Sequence, residues 1–379
     1  MTALDQSPHV PLALVPAYDD QQQRFARAFA ILRDAVEEQA FPGAALAVGY
    51  QGKLTASHGF GRFTYDSDAP PIKRETVFDI ASVTKALATT TMAMILFERG
   101  WLKLEAPVAQ LLPEFVSLSP PHQRPKREAV TVRMLLAHSS GLPAYEKLFE
   151  YAHDRKQLLR AAMTTPLASA PGTRADYSDI GFILLGEILE RIAGEPLDQF
   201  AQREIFDRLG MARTWFIPPL ELRQQIPPTE DDRTFRKRII QGEVNDENAW
   251  VMGGISGHAG VFASAPDLAL FAECLLNGGA PLLRPATTAL FTRREESPHG
   301  TSRALGWDTP SQPSSSGTQF SASSYGHLGF TGTSLWIDPK RHLSVTLLTN
   351  RTWPDRRSQR IKEIRPLVHD AIVEAIERK

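Results

Sequence analysis

The stretch that most constrains this chain is Phe78-Asp79-Ile80-Ala81-Ser82-Val83-Thr84-Lys85, followed by Ala86 to Phe97, an apolar run without glycine or proline. Such a run reads as a buried helix. It puts Ser82 and Lys85, three residues apart, on one face of the first turn. A serine hydroxyl is a poor nucleophile until a neighbour takes its proton, and a lysine can do so when burial lowers its pKa. The helix N-terminus adds a positive dipole end and unpaired N–H groups suited to a developing oxyanion. The competing expectation is that Ser82 is only the N-cap, the commonest role of a serine at a helix start. A chain of this size also holds about one Ser-x-x-Lys by chance. The remaining motifs decide between the two.

With 379 residues, 42% of them apolar, the chain can bury a large core, and its length suggests two or three domains. A net charge of −1 and a pI near 6.8 give no global field to recruit nucleic acid or an anionic membrane. Cys274 is the only cysteine, so no disulfide forms within the chain and a zinc-thiolate site is not expected. Residues 1–20 lack a basic region followed by an apolar core, and no apolar run approaches the roughly 18 residues of a membrane span. The expectation is a cytoplasmic protein with no signal peptide in the sequence as given.

Residues 1–19 are Pro-rich and aperiodic, expected as a loose arm. Gln21 to Gln39 reads as a helix with the stripe Phe25, Phe29, Leu32 and Val36, stopped by Pro42-Gly43. Ala44 to Tyr50 and Leu54 to His58 read as a hairpin around Gln51-Gly52. From Trp101 to about Glu247, helical segments alternate with Pro-rich loops; Ile180 to Ala193 and Leu197 to Leu209 are the clearest helices, the second closed by Gly210. Pro227 to Arg238 reads as a charged loop, its Arg233, Arg236, Lys237 and Arg238 mixed with Asp231 and Asp232 on a solvated surface. Asp267 to Leu276 is a helix, 309–324 a mobile Ser/Thr/Pro/Gln-rich loop, and Ser334 to Ile337 with Leu343 to Thr349 a second hairpin. A closing helix carries Ile361, Ile364, Val368, Ile372 and Ile376, with Pro366 implying a kink or a late start. Helix and hairpin at both ends, with helices between, predict an α+β fold: one antiparallel sheet built from both ends, residues 20–100 plus 248–379, and a helical lobe, residues 101–247, beside it. A cleft between two such lobes is where sites tend to form.

Two further segments complete a constellation. Tyr177-Ser178-Asp179 enters a helix after Pro171-Gly172, and a tyrosine near a lysine can lose its proton more easily and shuttle protons for the serine. Tyr325-Gly326-His327-Leu328-Gly329-Phe330-Thr331-Gly332-Thr333 precedes a strand, and a glycine-rich strand edge lets substrate backbone approach and offers N–H donors. The order Ser-x-x-Lys, Tyr-x-Asn-like, Lys-Thr-Gly-like, spaced about 95 and then 150 residues apart, resembles the serine β-lactamase and DD-peptidase (penicillin-binding-protein-like) superfamily, in its class C β-lactamase and family VIII carboxylesterase branch. Thr131 to Leu142 resembles the family's helical-lobe signature and Gly253 to Phe262 its glycine loop. Gly242 to Ala249 is similar to a segment of a penicillin-binding-protein-like subgroup that usually has His where Asn245 stands.

The resemblance implies a two-lobe α+β serine hydrolase that works through an acyl-enzyme without metal or organic cofactor. Ser82 would be the nucleophile, Lys85 its activating partner, and Tyr177 the general base and later the shuttle that activates water. The backbone N–H groups of Ser82 and Phe330 would form the oxyanion hole, with Asp179, His327, Gly329 and Phe330 facing substrate. Asp179 replaces the usual Asn: an ionised Asp accepts hydrogen bonds but cannot donate one, and it could equally be the cap of the helix from Ile180. His327 replaces the usual Lys, and a mostly uncharged imidazole holds a substrate carboxylate less firmly. That moves weight toward small-molecule esters or amides, with β-lactams and D-amino-acid peptides also in view; a true class C-like β-lactamase and a non-turnover penicillin-binding sensor or scaffold are the rivals. No nucleic-acid or membrane partner is expected, and oligomeric state is not legible. His138 and His258 are expected to fix loop geometry, no metal-ligand cluster accompanying them, and Cys274 to sit in the core.

Overall fold

The computed structural model describes residues 12–378. Its strands, in chain order, are β1 (Val15–Pro16), β2 (Gly43–Tyr50), β3 (Lys53–Gly61), β4 (Val77–Asp79), β5 (Thr214–Trp215), β6 (Glu230–Asp232), β7 (Arg238–Ile240), β8 (Phe262–Ser264), β9 (Tyr325–Leu328), β10 (Ser334–Asp338) and β11 (Leu343–Thr349). Six of them form the main sheet in the order β1-β3-β2-β11-β10-β9. All neighbours are antiparallel except β1, which runs parallel to β3. First and last strands thus meet at the sheet centre, where β2 pairs with β11 along seven residues.

The period of two along a strand sorts its side chains between two layers. Ala44, Leu46 and Val48 of β2 and Leu343, Val345 and Leu347 of β11 pack with the helices Ala26–Glu37 and Ile361–Glu377 on one face. Ala45, Ala47 and Leu348 pack on the other with Leu268, Ala269, Phe271 and Ala272 of the helix Ala265–Leu276. Each fully buried Leu or Val in these layers contributes about 1.5–3 kcal/mol. The β2–β3 turn is closed by Gln51 and Gly52, both at positive φ (48° and 74°), the geometry of a two-residue hairpin that keeps the strand twist. The middle of the chain supplies further helices. Among them Asp179–Ala193 buries Ile180, Phe182, Ile183, Leu184, Leu185, Ile188 and Leu189 and ends on the left-handed Gly194. A three-stranded antiparallel sheet has the order β4-β8-β5. The fold is α+β, an antiparallel sheet flanked by helices.

Several local expectations are corrected. Within the expected loose arm, residues 12–19 are not loose, because β1 extends the sheet edge; residues 1–11 lie outside the described residues. The segment 309–324 is irregular but tied down: Thr318 and Gln319 donate backbone N–H groups to Asp370 of the closing helix, and Ser321 bonds Asp338. The charged segment 227–238 includes β6 and leads into β7, and Arg236 turns inward. It pairs with Asp232 at 3.2 Å and donates to the carbonyls of Val244 and Asn245, so that side chain is a buried clamp and not solvated surface. Pro366 sits inside the closing helix, which starts at Ile361 all the same. Among the described residues no helix is long and apolar enough to cross a membrane.

Candidate active site

β4 delivers the chain to Asp79, and the next three residues make a sharp turn. Ala81 has φ +47°, a left-handed conformation that costs a residue with a Cβ of the order of 1–3 kcal/mol. The cost is offset by a set of ties. Asp79 Oδ1 accepts from the Ala81 N–H (2.8 Å), and Thr331 and Thr333 donate their hydroxyls to the carbonyls of Asp79 (2.7 Å) and Ile80 (2.9 Å). Three successive i to i+3 bonds follow, ending with Lys85 N to Ser82 O. The helix then begins as a π-helical turn, Lys85–Thr90, and becomes α-helical at Thr91–Glu98. Single π turns of this kind recur at functional sites.

Ser82 is not a side-chain cap. Among the described residues no backbone N–H donates to its Oγ; that oxygen accepts instead from Lys85 Nζ at 2.9 Å and from the Tyr177 hydroxyl at 2.8 Å. Lys85 is fully buried, and its Nζ also reaches the His258 carbonyl (2.8 Å) and Asp179 Oδ1 (2.7 Å). The contacts to Ser82 and His258 are hydrogen bonds, whereas the contact to Asp179 is an ion pair by distance, outside hydrogen-bond geometry. Burial pulls its pKa below the ordinary lysine value, and the Asp179 carboxylate pulls it back up.

Tyr177 and Asp179 are aimed by the start of the helix Asp179–Ala193. The cap is Ser178, whose Oγ accepts from the Gly181 N–H at 3.0 Å, so the expected capping role of Asp179 falls to its neighbour and its carboxylate is turned onto Lys85. Buried His138, itself at φ +56°, accepts the Ser178 N–H on Nδ1 (3.0 Å) and packs its ring 4.7 Å from that of Tyr177. Burial, helped by Arg303, keeps this imidazole well below its usual pKa and so neutral. Burial and the Asp179 carboxylate drive the Tyr177 phenol well above its ordinary value, against the pull of its bond to Ser82. This is the opposite of the shift that a nearby lysine alone would give.

The edge of β9 closes the site. His327 Nδ1 is 2.8 Å from the Leu328 carbonyl, which can only accept, so Nδ1 carries the proton and Nε2 a bare lone pair, buried and without a partner among the described residues. Burial and the Lys85 charge hold this imidazole down to about 3. The expected hydrogen bond from His327 to a substrate carboxylate is therefore not available: Nε2 accepts and has no proton to give. Gly329 is packed against the chain's own turn. A Cβ there would lie 2.0 Å from Thr333 Oγ1 and 2.4 Å from the Ile80 carbonyl, so the side-chain direction is filled by Thr333 and Ile80. Phe330 is 47% exposed, with the Arg351 guanidinium 4.5 Å from its ring centre. The N–H groups of Ser82 and Phe330 donate to no protein acceptor among the described residues.

Sequence reasoning missed Arg303, Asp246 and the role of Asp79, which reach the site from outside the three motifs, whereas His258 holds loop geometry as expected. Arg303 stands 5.6 Å from the Tyr177 ring centre, held loosely by Asp308 at 3.6 Å, and is a permanent cation beside the site. His258 bonds Asp246 through Nε2 (2.8 Å) and Ser256 through Nδ1 (2.7 Å), fixing the loop whose carbonyl holds Lys85. Asp79 also accepts the Asn245 N–H at 2.6 Å, tying that loop to the nucleophile turn. Among the described residues no group of three His, Cys, Asp or Glu side chains converges in a metal-holding arrangement. Two surface hollows, of about 340 and 410 Å³, lie along the β3 side of the sheet and include none of these residues; the convergent chemistry at Ser82, not hollow size, marks the site.

A family model described as Beta-lactamase matches residues 28–368. The chain belongs to the Beta-lactamase family. This member is accordingly a serine hydrolase of the β-lactamase and penicillin-binding-protein superfamily. It is similar to a putative D-alanyl-D-alanine carboxypeptidase of Escherichia coli K12, 34% identical over 312 residues that cover 74% of this chain and 71% of that protein. It is also similar to an N-acetylmuramyl-L-alanine amidase of Bacillus subtilis, 32% identical over 349 residues, covering 82% and 77%. Among solved structures, a penicillin-binding protein homologue from Caulobacter crescentus matches with a TM-score of 0.75 at 19% identity, covering 96% of this chain and 99% of that one. EstCE1, a hydrolase with promiscuous acyltransferase activity, matches with a TM-score of 0.74 at 23% identity, covering 92% and 99%. These likenesses establish the fold.

Proposed function

We propose that this Beta-lactamase family member cleaves amide or ester bonds through an acyl-enzyme on Ser82, with substrates drawn from cell-wall peptides. The observation that carries the reading is the Ser82 hydroxyl oxygen, held by Lys85 Nζ at 2.9 Å and Tyr177 OH at 2.8 Å at the end of a strained turn. Lys85 assists removal of the Ser82 proton as Oγ attacks the carbonyl carbon. The unused N–H groups of Ser82 and Phe330 receive the oxyanion. Tyr177 gives its proton to the departing nitrogen or oxygen; in the second half-reaction it takes a proton from the attacking water, and Ser82 leaves with its hydroxyl restored.

The substrate class rests on the relatives, which are named for hydrolysis of a D-alanyl-D-alanine linkage and of an N-acetylmuramyl-L-alanine amide. His327, a buried acceptor, suits a hydroxyl or amide donor on the substrate. A D-alanyl carboxylate needs a cation, and Arg303, 5.6 Å from the Tyr177 ring centre and not engaged with Ser82, is the candidate. The test is hydrolysis of four substrates by native protein and Ser82→Ala: an N-acetylmuramyl-L-alanyl peptide, a D-alanyl-D-alanine peptide, a short nitrophenyl ester and a chromogenic cephalosporin. The reading expects turnover of at least one peptide and of the ester, all lost in Ser82→Ala. Fast turnover of the cephalosporin with neither peptide cleaved would favour a β-lactamase instead.

A further inference from the structure

Asp179 stands where the family's tyrosine motif carries Asn, and none of the ordinary roles of a residue at a helix start explains it. The cap is Ser178, and the Asp179 N–H is taken by the Ala144 carbonyl at 2.8 Å. Its carboxylate points inward, Oδ1 lying 2.7 Å from Lys85 Nζ, with the Asp179 side chain 14% exposed and that of Lys85 not at all. The same ammonium touches the nucleophile at 2.9 Å. Ser82, Lys85 and Asp179 therefore form a chain of three groups at proton-transfer distance. An asparagine could occupy the third position but could not receive a proton.

We propose that Asp179 stores a proton for this site, acting through Lys85 in both half-reactions. The proposal rests on the reading of Ser82 as nucleophile. In the resting site Lys85 is an ammonium, Asp179 a carboxylate and Tyr177 a phenol. As the Ser82 oxygen bonds to the substrate carbonyl carbon, its proton passes to Lys85 Nζ, and a different Lys85 proton passes to Asp179 Oδ1. The oxyanion carries the negative charge that Asp179 has given up, so net charge in the site is unchanged. When the bond to the leaving group breaks, Tyr177 supplies the leaving group's proton. The proton on Asp179 then passes to the phenolate, its hydrogen-bonding neighbour, and the resting pattern is restored. Deacylation runs the same transfers in reverse, with water in place of the leaving group. Tyr177, held as a phenol between turnovers by burial and by Asp179, matches this division of labour.

Every charged or titratable group that faces the trio bears on its pH response. Tyr177 and Asp179 come from the start of one helix, Asp246 and the His258 carbonyl from the loop before β8, His327 from β9, Arg303 from the loop before β9, and His138 from behind Tyr177. Asp246 is held at about 2, burial raising it but the bonded His258 and the more distant Lys85 lowering it further, so it stays a carboxylate while Asp179 exchanges its proton.

The experiment is the pH profile of kcat between pH 5 and 9 for a neutral nitrophenyl ester, on native protein, Asp179→Asn and Asp179→Glu, with fluorophosphonate labelling of Ser82 in each. With Asp179 present the Ser82 proton leaves through Lys85 to the carboxylate, and no proton has to be lost to solvent first. Without it Lys85 must first lose a proton to solvent. The acidic limb of Asp179→Asn should therefore move up by about one pH unit or more, an activity loss of roughly tenfold at pH 6 that shrinks toward pH 9. KM should change little, and Asp179→Glu should keep the native limb. A profile for Asp179→Asn parallel to native, or a change confined to KM, would overturn the proposal. If Asp179→Asn does not fold, a limb in Asp179→Glu displaced upward would overturn it too, and a native limb there supports it. Failure of Ser82 to label in native protein would refute the nucleophile itself, which is a separate outcome.

Discussion

In the proposed reaction Tyr177 starts as a phenol, because burial and the Asp179 carboxylate both oppose its ionisation. Tyr177→Phe keeps the ring packing on His138 but removes the only hydroxyl besides Ser82's own that the described residues place on the nucleophile. Turnover should fall by roughly 10²–10⁴-fold, the span of a lost general acid–base group, with the melting temperature little changed; stopped assays paired with thermal melts check it, and a folded, near-native variant would leave Lys85 to carry the proton transfers alone. Arg303 places a guanidinium 5.6 Å from the Tyr177 ring centre. Arg303→Ala should raise KM for a carboxylate-bearing peptide by about 10–100-fold, the worth of a charged hydrogen bond, and leave a neutral ester within a few-fold. Equal effects on both substrates would mean that Arg303 serves the Tyr177 ring and not the substrate. Ser82, Lys85 and Tyr177 were legible in the sequence because each sits in a short motif whose spacing a helix turn explains. Arg303 and Asp246 were not, since they reach the site through space from segments with no periodicity; His138 and His258 were legible as loop-fixing residues but not as neighbours of Tyr177 and Lys85.

The nucleophile turn is an element built from outside itself. Thr331 and Thr333 hold the carbonyls of Asp79 and Ile80, and Gly329 lets that strand edge lie against Ile80. Gly329→Ala forces a Cβ into the Ile80 carbonyl, which should cost about 1–3 kcal/mol and displace the Phe330 N–H from the oxyanion position. A lower melting temperature together with reduced kcat is the expected pair of readings; loss of neither would show that the edge slides freely. Asp79 gives the turn a pH response. Burial outweighs its two backbone donors and raises it from 3.8 to about 6. Its proton is thus bound more tightly in the folded state, so folding gains stability below about pH 4 and loses it as pH rises through 6, by an amount of the order of 3 kcal/mol. Asp79→Asn should flatten that part of the stability–pH curve, read from denaturant midpoints at pH 4, 5, 6 and 7; an unchanged slope would assign the response to another group. The period-two strands and the Gln51-Gly52 turn were readable because alternation and turn chemistry are local. The positive φ of Ala81 was not, since it is imposed by Asp79, Thr331 and Thr333 on a residue that does not favour it.

At the scale of the whole molecule, the sheet pairs the first strands with the last, β2 against β11, and the motifs at 82, 177 and 327 meet only because this closure is complete. The helix Asp179–Ala193 buries its apolar face among neighbouring helices, the one that begins at Lys85 included, and carries Tyr177 on its N-terminal approach, while β9 brings His327 from the far edge of the sheet. Hairpins and helices at both ends made this closure foreseeable. The inward turn of Arg236 and the anchoring of 309–324 were not, because charged and Ser-rich segments look solvated until a partner such as Asp232 or Asp370 is placed beside them. The proposed function centres all of this organisation on one oxygen, and one measurement tests that claim most directly: peptide mass mapping of native protein and Ser82→Ala after exposure to a fluorophosphonate. The account predicts a single adduct, on the peptide that holds Ser82, with loss of activity in proportion to labelling and no adduct in Ser82→Ala. An adduct on another serine, or full hydrolytic activity in Ser82→Ala, would contradict it.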